Sequence, residues 1–192
     1  MMEDVLGAVN DFVLAYIKRG DDLPALTQPQ IVRGWQNLVS ALPANTREYV
    51  VLTLLSSQRH GTNVHLYEQD KNDETVETIT RHAEHMVQVD FCCSYPDQRE
   101  ERARLRAELL ELLSRDALAV DFYKGYGFSC LYADDVKSLS FLDPETKQWV
   151  ARYTVTIHLE GWTKYPLPVQ SSDRVGLYIE NVDVHHPVHR SE

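Results

Sequence analysis

Residues 74–93 read ETVETITRHAEHMVQVDFCC, and whether this stretch is strand or helix decides the fold. AEHM in its middle is compatible with a helix. TVETIT before it and VQVDF after it are rich in β-branched residues, which fit a pleated surface better. In a strand, side chains alternate between faces. One face then carries Thr80, His82, Glu84, Met86, Gln88, Asp90 and Cys92, and the other Arg81, Ala83, His85, Val87, Val89, Phe91 and Cys93. The second face turns apolar along the chain while the first stays mostly polar, as in a half-buried strand. His82 and His85 would face opposite sides, as would Cys92 and Cys93, so they cannot share one metal ion unless the segment is helical. The expectation is one long strand from Glu74 to Cys93.

Upstream, EYVVLTLL (48–55) is almost wholly apolar and reads as a strand buried on both faces. Ile31 to Trp35 reads as a short strand. Residues 3–19 read as a helix, with Val5, Val9, Phe12, Val13, Tyr16 and Ile17 on one stripe, Asp4 in its first turn, and Gly20 ending it. Residues 56–73, SSQRHGTNVHLYEQDKND, are polar and turn-rich and read as an extended loop or hairpin tip. Downstream, residues 98–114 form the clearest helix, with Leu105, Leu109 and Leu112 at helical spacing and Leu109 expected against the sheet. DALAVDFYKG adds a short helical turn. Phe128–Tyr132, Trp149–Gly161 and Arg174–Val184 read as strands, with KYPLP (164–168) a kinked connection and 185–192 a frayed tail. The order predicts a single α+β domain over 1–192. Its sheet is mixed and mostly antiparallel with long strands, and two main helices pack on one face.

The chain has 192 residues, 43% of them apolar, enough for one well-buried core. A net charge of −10 repels nucleic acid on average and disfavours anionic membrane surfaces. No apolar run approaches the ~20 residues of a membrane span. The first residues are acidic where a secretory signal is basic, so a cytosol-like compartment is expected. Three cysteines, two of them adjacent, do not make a disulfide framework.

The chain contains no phosphate-binding glycine loop, no dinucleotide fingerprint, no H-E-x-x-H and no nucleophile elbow. GYGF (125–128) precedes a strand and reads as a turn. Asp134-Asp135 is a possible acid pair but equally an acidic surface loop. Arg99, Arg102, Arg104 and Arg106 alternate with Glu100, Glu101 and Glu108, which reads as a solvated helix face. Trp162, Lys164 and Tyr165 read as an anchor or oligomer contact. The tail histidines His185, His186 and His189 could bind metal adventitiously, and no function is assigned to them. No catalytic residue, metal ligand or cofactor is assigned.

The order of segments resembles the neck-terminator and tail-terminator proteins of tailed bacteriophages, which join head to tail. The resemblance rests on IVRGWQNLVSALP (31–43), with Arg33-Gly34, Gln36-Asn37 and Pro43, and on YVVLTLL (49–55) running into HGTNVHLYE (60–68), with Gly61, Thr62 and Asn63. AVDFYKGYGFSCLYADDV (119–136) and RYTVTIHLEG (152–161) complete it, so it covers most of 3–184. It implies a virion structural protein, assembled in the host cytoplasm, and a homo-oligomeric ring, hexameric in related terminators. Its implied partners are tail-tube and head-completion or connector proteins, and double-stranded DNA crossing the lumen without specific binding. It implies no membrane partner and no enzyme. The acidic balance suits passage, because a strongly basic lining would hold DNA through counterion release.

Two other classes remain open on residues alone: a small enzyme with a site gathered from scattered acids and histidines, and a monomeric module binding through its aromatic strand edge. Strand length favours assembly. Twenty residues at roughly 3.3 Å each span about 65 Å, whereas a compact domain of this size has a radius of gyration of about 16 Å. Part of the long strand must project or curve, and a projecting ribbon with open edges needs a partner. Inter-subunit contacts are therefore expected over 56–82 and Trp162–Tyr165, at His60, Asn63, Tyr67, Thr78, Thr80, Trp162 and Tyr165.

Overall fold

The computed structural model describes residues 4–20, 23–34, 47–69, 75–94, 100–144 and 147–168. The segment that decides the fold is a strand, β4, unbroken over 20 residues from Thr75 to Ser94. On one side it pairs antiparallel with β2 (Glu48–Arg59) and then, end to end with β2, with β3 (Val64–Gln69). On the other side it pairs along its length with β8 (Trp149–Pro168). β1 (Ile31–Arg33) joins β2 in parallel, and β5 (Phe128–Ala133), β6 (Lys137–Ser138) and β7 (Phe141–Leu142) follow one another along the far edge of β8. Among the described residues these strands form one eight-stranded, mostly antiparallel sheet.

Three helices, α1 (Val5–Tyr16), α2 (Glu100–Ser114) and α3 (Ala117–Lys124), share one core with one face of this sheet. Alternation selects that face. Val87, Val89 and Phe91 of β4 stand between Ile157, Val155 and Tyr153 of β8 and Leu54, Leu52 and Val50 of β2. α1 contributes Val5, Ala8, Val9, Phe12 and Val13, and Asp4 caps it by accepting from the Gly7 N–H at 3.0 Å. The helix stops at Tyr16, before the expected residue 19, and Lys18 and Arg19 fall in the turn beyond it. Phe12 stacks on Tyr123 with ring centroids 5.1 Å apart, which joins α1 to α3.

α2 corrects the reading of its own sequence. Leu112 is exposed and Leu109 only partly buried. The buried line is Ala103, Arg106, Ala107, Leu110 and Ser114. Ala103 and Ala107 put little bulk between the helix and strands β4 and β8, which α2 packs against. Arg106, expected on a solvated face, is only 3% exposed. Its guanidinium donates to the Ile17 and Pro24 carbonyls, each at 2.8 Å, and meets the Glu48 carboxylate at 3.1 Å. Burial pulls its pKa down and the Glu48 charge opposes that pull. Arg102 reaches the other Glu48 oxygen at 3.3 Å, while Arg104 bridges Glu101 and Glu108 in solvent. Arg99 lies outside the described residues, as do Trp35, Gln36-Asn37, Pro43, Arg174–Val184 and the tail histidines.

β8 brings a second correction: the strand does not end at Gly161 but continues through KYPLP to Pro168. Among the described residues this end of β8 is an edge, beyond the last β5 pair, Phe128 with Gly161, and an edge tolerates Pro166 and Pro168. Being two residues apart, both prolines place their missing donors on the same side of the strand.

Candidate assembly surface

Because β4 and β8 outrun the helices, three strands leave the body together as an arm, made of β3, residues 75–82 and residues 162–168. The polar stretch 56–73 is thus mostly strand rather than loop: β2 runs on to Arg59 and β3 starts at Val64, with 70–74 outside the described residues. The two strands lie in line along β4, joined by a kink at residues 60–63. The His60 N–H donates to the His82 carbonyl at 3.0 Å, and Gly61 takes φ +75°, a region side chains with a Cβ rarely enter. Among the described arm side chains only Thr80 is buried, its hydroxyl donating to the Val64 carbonyl at 3.2 Å.

Register assigns each arm residue to a face. Tyr67, Glu77, Tyr165 and Leu167 continue the helix-bearing face, and Val64, Leu66, Thr78, Thr80, Trp162 and Pro166 continue the open one. On the first, Glu77 accepts from Tyr67 Oη at 3.1 Å and pairs with His65 Nδ1 at 2.5 Å. The His65 contact holds the Glu77 carboxyl below its ordinary range, and the bond to Glu77 raises the Tyr67 phenol. On the second, the Trp162 ring stacks on His82 with centroids 4.5 Å apart. Of the residues expected at contacts, Tyr67, Thr78, Thr80, Trp162 and Tyr165 therefore sit on adjacent strands of the arm, split between its faces. His60 stands at its root, and Asn63 is exposed in the kink. Val64 and Leu66 were hidden inside a stretch that reads as polar loop; their two-residue spacing was the available signal.

The open face of the body is polar. Buried Asp90 accepts from Arg152 and Gln88, each at 2.8 Å, and from Thr154 Oγ1 at 2.5 Å. That bond to Asp90 raises the Arg152 pKa. Nearer the arm, Glu84 meets His158 Nδ1 at 2.6 Å and His60 Nε2 at 3.5 Å, and Glu160 meets His82 Nε2 at 3.1 Å. The His158 hydrogen bond is the main cause holding the Glu84 carboxyl low. Asp134 and Asp135 do not act together: Asp134 lies 3.5 Å from His158 Nε2, and Asp135 is exposed beside Arg115 at 3.2 Å. Scattered acids and histidines do gather here, but they pair with one another across strands. Among the described residues, no group of three or more has metal-holding geometry. Burial pushes the Cys92 thiol up to about 12 and the Cys130 thiol to about 11, far from a reactive thiolate. His82 and His85 face opposite sides, as alternation requires: His82 stacks on Trp162 and His85 bonds Ser57 Oγ at 2.8 Å.

A family model described as phage neck terminator protein matches residues 3–187. The chain belongs to the phage neck terminator family. No curated protein matches it. Membership makes this terminator a structural component of the virion neck, with head and tail components as its partners, and the family is not one of enzymes.

Proposed function

We propose that the terminator works as a ring, six copies in number as the resemblance implies. The ring closes the tail, joins it to the head, and lets double-stranded DNA pass without specific binding. The whole of 1–192 acts as one domain, and subunit contacts fall on 56–82 and Trp162–Tyr165. The supporting observation is the arm: three strands leave the helical body, and their described side chains, Thr80 apart, are half-buried or exposed. A ribbon of this kind gains little from its own chain and is an aggregation hazard if left uncovered. The net charge of −10 favours passage over capture, since a lumen with few cations releases few counterions from DNA. Electron micrographs of the purified protein should show closed rings with a central hole, and the protein should cap tails in an assembly mixture. A protein that stays monomeric at high concentration and fails to cap tails would overturn the proposal.

A further inference from the structure

Apolar side chains are exposed at both ends of β8, and the two sets lie on opposite sides of the body. Toward the arm tip stand Tyr67 and Tyr165 on one face, each 65% exposed, and Leu66 on the other, where Val64 and Trp162 (47%) follow nearer the root. At the opposite end stand Trp149 (61%), Leu142, Phe141 and Leu139, where the short β7 meets the start of β8. Trp149 and Trp162 are 13 residues apart on one unbroken strand, or about 45 Å at roughly 3.3 Å per residue. One chain cannot cover either set with the other.

We propose that these two ends are mutual partners: the arm tip of one copy docks on the Phe141–Leu142–Trp149 end of the next. This deepens the ring reading and rests on it. Area supports a second copy as the occupant. A standard interface takes about 800 Å² from each side, of which roughly 57%, or about 450 Å², is apolar. With about 150–250 Å² per aromatic side chain, the exposed fractions at the tip come to on the order of 500 Å², and those at the opposite end to on the order of 400 Å². At both ends the set is divided between the two faces of the sheet, Leu142 and Trp149 on the helix-bearing face and Phe141 on the open one at the far end, so the joint reaches the apolar share of an interface by clasping both faces. The ends differ from one another, so the contact is heterologous: each copy uses its tip once and its far end once, and the series grows until it closes. Strand addition is disfavoured along the β8 edge of the arm and at the far end. Pro166 and Pro168 occupy the β8 edge of the arm, and β6 and β7 are two residues each. Side chains, rather than a shared sheet, make the joint.

The test mixes two variants of the full chain. A tip variant carries Tyr67→Ser and Tyr165→Ser, and a far-end variant carries Phe141→Ser and Trp149→Ser. All four side chains are exposed, and a circular-dichroism spectrum matching the parent, with one cooperative melt, would verify that both variants fold; the melting temperature itself should fall below the parent's, because the variants lack the association that stabilises it. The parent should sediment as a ring and each variant alone as a monomer. Their equimolar mixture should stop at a heterodimer, since it holds one intact tip and one intact far end. A variant that still assembles like the parent, or a mixture that stays monomeric while the parent forms rings, overturns the docking and leaves the ring reading standing. A tip variant that forms rings but no longer joins heads to tails would assign the tip to a head or tail component and also overturn it. A monomeric parent overturns both.

Discussion

Replacing Arg106 by Met tests the least expected feature of the core. The guanidinium is buried, donates to two backbone carbonyls at 2.8 Å, and meets Glu48 at 3.1 Å. Met preserves much of the stem and removes all three contacts. Removing one partner of a buried ion pair costs about 3–5 kcal/mol, because the remaining charge stays desolvated. Glu48 keeps Arg102 at 3.3 Å, which lowers the expectation to the bottom of that range, about 3 kcal/mol. The Ile17 and Pro24 carbonyls lose their donor, and nothing in Met replaces it. Arg104→Met, from the solvent pair with Glu101 and Glu108, should change stability by less than about 0.5 kcal/mol. Urea unfolding of both variants gives the comparison. It should be run in the tip-variant background, so that subunit association does not add to the apparent stability. A loss below about 1 kcal/mol for Arg106→Met, or equal losses for the two arginines, would refute the buried anchor.

Other outcomes follow from single contacts. Leu110→Ala, at a fully buried position, should cost about 2–5 kcal/mol, whereas Leu112→Ala on the exposed side should stay within about 0.5 kcal/mol; thermal melts reporting the reverse order would mean that α2 is rotated. Gly161→Val should destabilise by about 1–3 kcal/mol, because a Cβ there would stand 2.5 Å from Phe128 Cδ1, and Phe128→Ala should recover part of the loss in a chemical-denaturation series. Glu84 has its carboxyl held below the ordinary 4.5 in the fold, so its contribution is fully present above that pH and is lost as pH falls through the lower folded value. Glu84→Gln should accordingly flatten the acid limb of a stability–pH curve, and an unchanged limb would contradict the His158–Glu84 bond.

Period-2 alternation over 80–93 placed Val87, Val89, Phe91 and Cys93 on one face, and that face is the core. The α+β order and the long strand were legible for that reason: burial selects one parity, and a one-residue slip would reverse it. α2 was harder to read. Its leucines outnumber its buried positions, and two alanines and an arginine occupy the line that meets the sheet. Helical spacing alone cannot say which of two overlapping stripes faces inward when the packing partner selects small residues. Sequence alone ends β8 at Gly161, because proline usually ends a strand. The edge position that makes Pro166 and Pro168 acceptable is a tertiary fact, fixed by where β5 stops. The arm residues Tyr67, Trp162 and Tyr165 were visible as aromatics in polar surroundings. The far end was not, since Trp149 reads only as the first residue of a strand and Phe141 falls between the readable elements.

The polar face bears on how the arm is aimed. β4 and β8 keep one register without a bulge from Ser94↔Val150 to Val76↔Pro168, while the irregularities fall on the flanking strands, at Leu54/Ser56 in β2 and Cys130/Tyr132 in β5. The direction of the tip relative to the body is therefore set by the accumulated twist of two strands and not by a hinge. A slip of one residue between them would move Trp162 and Tyr165 each to the face it now avoids and break the helix-side core. Apolar pairs alone tolerate such slips poorly but do not forbid them. Asp90 with Arg152 and Thr154, Glu84 with His158, and His82 with Glu160 each demand one specific partner across the β4–β8 interface, and together they run from the core toward the arm root. Buried or half-buried polar groups left unpaired by a slip would each cost about 1–3 kcal/mol. The row of acids and histidines that resembles a scattered catalytic site on paper is, in this geometry, what pins the register of the ribbon that carries the tip.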